Sequence, residues 1–254
     1  MTAIPLLRRR PGRPARGPGG DMTVVEHLSE LRHRLFVSLL AVAVGAVVAF
    51  VFSKEIISFL VTFYRDATDG KRHALIFTGP IDGFATRLKI AAYGGVVLAL
   101  PVWLYQLWRF VTPALDRREK RYAVPFVASS LLLFALGAFV AFLTLTEALS
   151  FLLGVGGAEL QPLLTADKYL SLVSLMVIAF GIAFEFPVLI MFLLLARVVS
   201  TVQLRRWRRV AIVVIVAFAA VITPSADPYS MFAMAIPMYV FYEACIALGR
   251  VLKR

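Results

Sequence analysis

Leu35-Phe-Val-Ser-Leu-Leu-Ala-Val-Ala-Val-Gly-Ala-Val-Val-Ala-Phe-Val-Phe52 contains no charged residue. Wound as an α-helix it spans about 27 Å, close to the roughly 30 Å of hydrocarbon in a bilayer. Five more predominantly apolar runs follow, at Leu88–Phe110, Ala123–Leu145, Tyr169–Ala196, Val210–Thr223 and Met231–Leu248. The chain has 254 residues, 60% of them hydrophobic, and a mean hydropathy of +0.83. That composition excludes an ordinary soluble domain and predicts an all-α integral membrane protein with six transmembrane helices.

Charge sets the expected orientation, because Lys and Arg near the ends of spans are retained on the cytoplasmic side. Arg32 and Arg34 precede the first run, Arg109, Arg117, Arg118, Lys120 and Arg121 separate the second from the third, and Arg197, Arg205, Arg206, Arg208 and Arg209 separate the fourth from the fifth. The opposite connections carry Lys54, Arg65, Lys71, Arg72 and Lys168, with Arg87 and Lys89 entering the second run. Both termini are therefore expected on the cytoplasmic side. The net charge of +12 collects at span ends instead of on a soluble face with stacking aromatics, so anionic membrane lipids are its expected counter-ions and nucleic acid is not.

Residues 1–21 are rich in Arg, Pro and Gly and read as a disordered basic tail. The membrane domain is expected over 22–250, with a cytoplasmic tail at 251–254. Thr23-Val-Val-Glu26 reads as a capping box leading into the first span. The Lys54–Phe84 connection is too long for a bare turn and predicts a partly structured extracytoplasmic cap. The fifth and sixth apolar runs are short, and between them Asp227 is placed to N-cap the last helix with Pro228 in its first turn. These two runs are expected to form a tight hairpin and to require local thinning of the bilayer. Cys245 is the sole cysteine and the three histidines have no metal-binding spacing, so neither a disulfide framework nor a metal site is expected. No cofactor motif is visible.

Acidic residues at unusual places are the functional candidates. Glu30, in His27-Leu-Ser-Glu-Leu-Arg-His-Arg-Leu35, has a helical neighbour of opposite sign in Arg34 and one of like sign in Glu26. Glu119, in Ala114-Leu-Asp-Arg-Arg-Glu-Lys-Arg121, has no cationic neighbour at helical spacing. Both carry two readings: solvated interface charge, or a receptor for a cationic ligand. Glu185 falls near the middle of the fourth run, where an acidic side chain costs about 2.5–3.5 kcal/mol; it reads either as a functional group or as a protonated partner in an interhelical hydrogen bond. Pro187 beside it frees the carbonyl of Ala183. Gln106 reads as interhelical glue or as part of a site.

Several segments together resemble the TatC family of twin-arginine protein translocases: His27–Leu35, Leu100-Pro-Val-Trp-Leu-Tyr-Gln-Leu-Trp-Arg-Phe-Val-Thr-Pro-Ala-Leu115, Phe180-Gly-Ile-Ala-Phe-Glu-Phe-Pro187, Thr223-Pro224 with Asp227, and Ala235-Ile-Pro-Met-Tyr239. The resemblance implies a glove-shaped receptor with six helices, both termini inside and short helices five and six. It implies binding of the paired arginines of signal peptides on folded cargo, work within an oligomeric complex with the single-span partners TatA and TatB, and export driven by the proton gradient without enzymatic activity. It assigns signal recognition to Glu30 and Glu119 with Arg32, Phe110, Pro113 and Leu115, and intramembrane polar roles to Glu185 and Gln106. It further assigns partner docking to Thr223 and the family's extracytoplasmic pattern to Pro80, Asp82 and Phe84. The chain departs from the family at Thr146 and Glu147, where a proline is usual, and lacks another proline within Phe59–Tyr64. A secondary transporter using Glu185, and an intramembrane enzyme, are the alternatives; no internal repeat and no nucleophile with its base support them.

Overall fold

A computed structural model describes residues 24–68, 75–111, 123–156 and 164–251. Among these residues the structure is helical: α1 (Val24–Val51), α2 (Ser53–Ala67), α3 (Asp82–Leu98), α4 (Leu100–Val111), α5 (Ala123–Gly154), α6 (Ala166–Ala183), α7 (Phe186–Leu195), α8 (Thr201–Arg206), α9 (Arg208–Ile222) and α10 (Pro228–Val251). Four stretches are long and apolar enough to cross a membrane, α1, α5, α6 with α7, and α10, and α3 with α4 forms a fifth as a bent pair. The tail 1–21, the Thr23 capping position and residues 252–254 lie outside the described residues.

The second apolar run, expected as one span, is two helices bent by 49° at Ala99. Pro101 is the physical reason: it has no N–H to bond the carbonyl of Val97 and its ring crowds the preceding turn. The Trp103 indole N–H reaches back to the carbonyl of Val96 at 3.3 Å, supplying one donor to the opened turn. The fourth run is likewise interrupted, at Phe184 and Glu185, with Pro187 opening α7. The third run continues beyond its expected end at Leu145 to Gly154, since Thr146 and Glu147 present no proline to stop it.

The last helix is longer than its apolar run. The sequence predicts two short terminal spans, and α9 is short at 15 residues, but α10 extends for 24. Asp227 starts α10 a turn early by accepting the Ser230 N–H at 2.8 Å. Towards its other end, polar contacts anchor the helix: Arg208 pairs with Glu243 at 2.5 Å, and the Tyr242 hydroxyl donates to the Leu204 carbonyl at 2.7 Å. Between α7 and α9, Ser200 and Gln203 form a reciprocal capping box on α8, after Arg197 has turned the chain with a φ of 56°.

The main core joins α2, α5, α6, α9 and α10 around fully buried Tyr169, Phe180, Phe184, Met234 and Met238. The α2 part of the expected extracytoplasmic cap is tied down by the buried Tyr169 hydroxyl, which donates to the Leu60 carbonyl at 2.6 Å. A parallel bridge between Ile76 and Thr165 joins the two connections of that end, and Lys89 pairs with Asp167 at 2.6 Å. Outside this core, α1 packs principally on α3. Gly45 and Gly95 make that crossing: a Cβ on Gly95 would lie 2.6 Å from the Ala46 nitrogen and 2.7 Å from the Val42 carbonyl oxygen. The absence of both side chains lets the two backbones touch, as small residues do in membrane helix pairs. This crossing fixes where the first turns of α1 stand relative to α4.

Candidate functional site

Glu30 lies two turns into α1, and Arg34 one turn later on the same face. The spacing delivers a helical ion pair: Arg34 Nε donates to Glu30 Oε1 at 3.1 Å and Nη2 donates to the same oxygen. Arg34 is buried, at 9% exposure, because its remaining arm crosses to α4 and Nη1 donates to Gln106 Oε1 at 3.3 Å. Glu30, Arg34 and Gln106 thus form one polar link between α1 and α4. The second carboxylate oxygen, Glu30 Oε2, is buried with no hydrogen bond among the described residues. It is a carboxylate acceptor whose hydrogen-bonding capacity the described residues leave unused.

Phe110 belongs to the same place, stacked on His27 with ring centroids 4.4 Å apart. Arg32 does not: it is exposed on another face of α1. The family likeness groups Arg32 with Glu30; the structure pairs Glu30 with Arg34 and ties Arg34 to Gln106. The i, i+4 spacing announced Arg34; nothing in the chain announced that Gln106, 72 residues away, completes the link. Glu119, Pro113 and Leu115 lie outside the described residues, in the connection that follows α4.

Glu185 occupies the joint between α6 and α7. Its polar side-chain neighbour is Ser130 of α5, and Glu185 Oε1 and Ser130 Oγ are both buried without a hydrogen bond among the described residues. A cavity of about 600 Å³ opens beside the carboxyl group between α4, α5, α7, α9 and α10, walled by Trp103, Leu107, Phe126, Phe218 and Met238. Among the described residues lining it, Glu185 alone is ionisable. An acidic group in such walls holds a proton, a water or an incoming polar partner, since the alternative is an uncompensated charge in hydrocarbon.

The α9–α10 turn is organised internally. Thr223 is buried and donates to the Ala219 carbonyl at 2.6 Å; Asp227, at 1% exposure, accepts from the Ser225 hydroxyl and the Ser230 N–H. The turn closes through Ala226 at a φ of 49°, a left-handed conformation unfavourable for alanine. Thr223 therefore presents no side chain outward; exposed Val221, Ile222 and Pro224 surround it. At the opposite connection, Asp82 accepts from the Thr78 N–H at 2.9 Å, the Thr78 hydroxyl at 2.7 Å and the Gly79 N–H at 2.8 Å. It folds the turn that opens α3, with Pro80 and Phe84 exposed beside it.

Comparison with known proteins locates this architecture. The family pattern described as "TatC: Sec-independent protein translocase protein (TatC)" matches residues 26–237. A "Sec-independent protein translocase protein TatC" of Frankia casuarinae is 46% identical over 238 residues, covering 90% of this chain and 65% of that protein. The protein so named in Aquifex aeolicus is 40% identical over 240 residues, covering 92% of this chain and 97% of that one. A crystal structure titled "Crystal Structure of Twin Arginine Translocase Receptor- TatC" superposes with a TM-score of 0.74 at 40% identity, covering 90% of this chain and the whole of the other. These matches are to a translocase, not to a secondary transporter or an intramembrane enzyme. This chain, a multi-pass helical membrane protein, belongs to the TatC family of Sec-independent protein translocases.

Proposed function

We propose that this chain is the receptor and core subunit of a twin-arginine translocase in the cytoplasmic membrane. It binds the paired arginines of signal peptides on folded proteins and exports them with single-span TatA and TatB subunits in an oligomeric complex, driven by the proton motive force. In this reading α9 is the remaining span, giving six, and both termini are cytoplasmic, in line with the clusters of Arg and Lys at those span ends. The observation that carries the proposal, beside family membership, is the half-engaged carboxylate of Glu30: one oxygen is held by Arg34 and the other is buried and unsatisfied. A guanidinium from a signal peptide would satisfy it with a charge-assisted hydrogen bond, worth about 1.5–3 kcal/mol. Glu119 supplies the second carboxylate, Phe110, Pro113 and Leu115 flank the peptide, and Arg32, on the neighbouring exposed face of α1, stands at its edge. Arginine is preferred over lysine because its planar fork addresses two acceptors at once.

Glu185 and Gln106 act as polar positions within the membrane, and the exposed rim of the α9–α10 turn around Thr223 receives the partner helices. Photocrosslinking from positions beside Glu30, with a signal peptide carrying Arg-Arg and its Lys-Lys variant, tests the proposal. Labelling confined to the Arg-Arg peptide and lost in Glu30→Gln with Glu119→Gln is the expected result. Equal labelling by the two peptides would return both glutamates to ordinary interface charge.

A further inference from the structure

At the end of α1 remote from Glu30, a cavity of about 690 Å³ lies between α1, α2, α3 and the start of α6. That volume falls within the roughly 300–1,000 Å³ of small-molecule sites. Its composition is divided. Phe50 and Phe84, whose rings meet edge to face at 6.4 Å, belong to an apolar wall, and Lys54, Arg65 and Arg87 contribute three cations. No acidic residue is among the described lining residues. The neighbouring Lys89 is taken by Asp167, but none of the three lining cations has an ion pair among the described residues. Thr86, at 2% exposure, also lines the cavity, and its hydroxyl has no hydrogen bond among the described residues.

We propose that this cavity binds an anionic phospholipid, its phosphate held by Lys54, Arg65 and Arg87 and an acyl chain laid against Phe50 and Phe84. Three lining cations with no ion pair among the described residues call for an anion. An apolar wall in the same cavity calls for hydrocarbon attached to that anion, and the end of α1 and start of α3 place the pair of features at a span boundary. A free phosphate would use the cations and leave the aromatic wall exposed. The Thr86 hydroxyl offers a donor to a headgroup or glycerol oxygen. The site is separate from the signal-binding reading and does not depend on it.

Native mass spectrometry of the full chain in detergent, titrated with phosphatidylglycerol or phosphatidylcholine, tests this. One phosphatidylglycerol is expected to remain bound in preference to phosphatidylcholine. The combined variant Lys54→Gln, Arg65→Gln, Arg87→Gln is expected to lower its affinity by about a hundredfold, from roughly fivefold per cation, and Arg205→Gln, on α8, is expected to leave it unchanged. Arg65→Lys with Arg87→Lys retains the charges and is expected to retain most of the binding, which separates loss of the site from loss of the fold. Undiminished phosphatidylglycerol binding by the triple glutamine variant overturns the proposal. So does displacement of the lipid by millimolar inorganic phosphate, which would identify a simple anion site.

Discussion

Introducing a methyl group at Gly95 tests the packing on which the amino-terminal half of the molecule depends. A Cβ there would stand 2.6 Å from the Ala46 nitrogen, 2.7 Å from the Val42 oxygen and 2.8 Å from the Ala46 Cα. Ordinary contact begins near 3.4 Å, so α1 and α3 must separate by about 0.8 Å at their crossing. All three obstructing atoms are backbone, and no rotamer change relieves them. Overpacking of this kind costs about 1–3 kcal/mol, and between membrane helices the lost close contact is not replaced by a hydrophobic gain, since lipid is as apolar as the helix. For a chain of this size that corresponds to a fall of about 2–12 °C in apparent melting temperature. Gly45→Ala should behave alike, because its Cβ would lie 2.8 Å from the Gly95 oxygen. The double variant should cost less than the sum, both methyl groups opening one gap. Gly154→Ala is the control, with nothing within 4 Å of the added atom. Melting curves of the four proteins in one detergent decide the matter. A Gly95→Ala curve coincident with that of Gly154→Ala would refute the reasoning.

Other outcomes follow from the same structure. Asp227→Ala removes the α10 cap and strands the buried Ser225 hydroxyl, costing about 2–4 kcal/mol by thermal melting, whereas Asp227→Asn keeps an acceptor and should lose less. Ser230→Ala should be neutral or slightly stabilising in the same assay, because the Ser230 hydroxyl is buried without a partner among the described residues while its N–H remains to bond Asp227. In export assays Glu185→Gln should be tolerated better than Glu185→Leu, the amide keeping the capacity to hydrogen-bond; equal export by both would show that polarity is not needed there. Glu119→Ala should abolish crosslinking of Arg-Arg signal peptides without preventing membrane insertion, and undiminished crosslinking would remove Glu119 from the site. Deletion of residues 1–21 should leave export nearly normal, and loss of export would assign that tail a function.

The sequence was most legible where one local property decides the outcome. Hydrophobic run length announced an all-helical membrane protein, though not the bend or the ends of its helices, and the Asp227-Pro228 pair marked the start of α10. It was least legible where two distant segments meet. Pro101 is visible inside an apolar run, but whether such a proline kinks a span or merely sits in its first turn depends on what packs around it; here Trp103 caps the opened turn and the 49° bend persists. Gly45 and Gly95 are unremarkable singly and acquire meaning only when α1 crosses α3. The i, i+4 spacing of Glu30 and Arg34 is legible along the chain, and the structure shows that ion pair. The link to Gln106 follows from the three-dimensional path of α4, which no spacing rule along the chain contains.

The engagement of Glu30 by Arg34 also bears on how tightly a receptor of this design can hold its ligand. On the proposed reading, an arriving guanidinium does not meet a bare carboxylate. It shares one with a resident guanidinium, or takes over its place and frees Arg34 toward Gln106. Sharing adds one interaction at the unsatisfied oxygen, whereas taking over Arg34's place is an exchange whose net free energy is the difference between two similar interactions. Such a site can still discriminate against lysine, because the competitor to be matched is itself a planar fork.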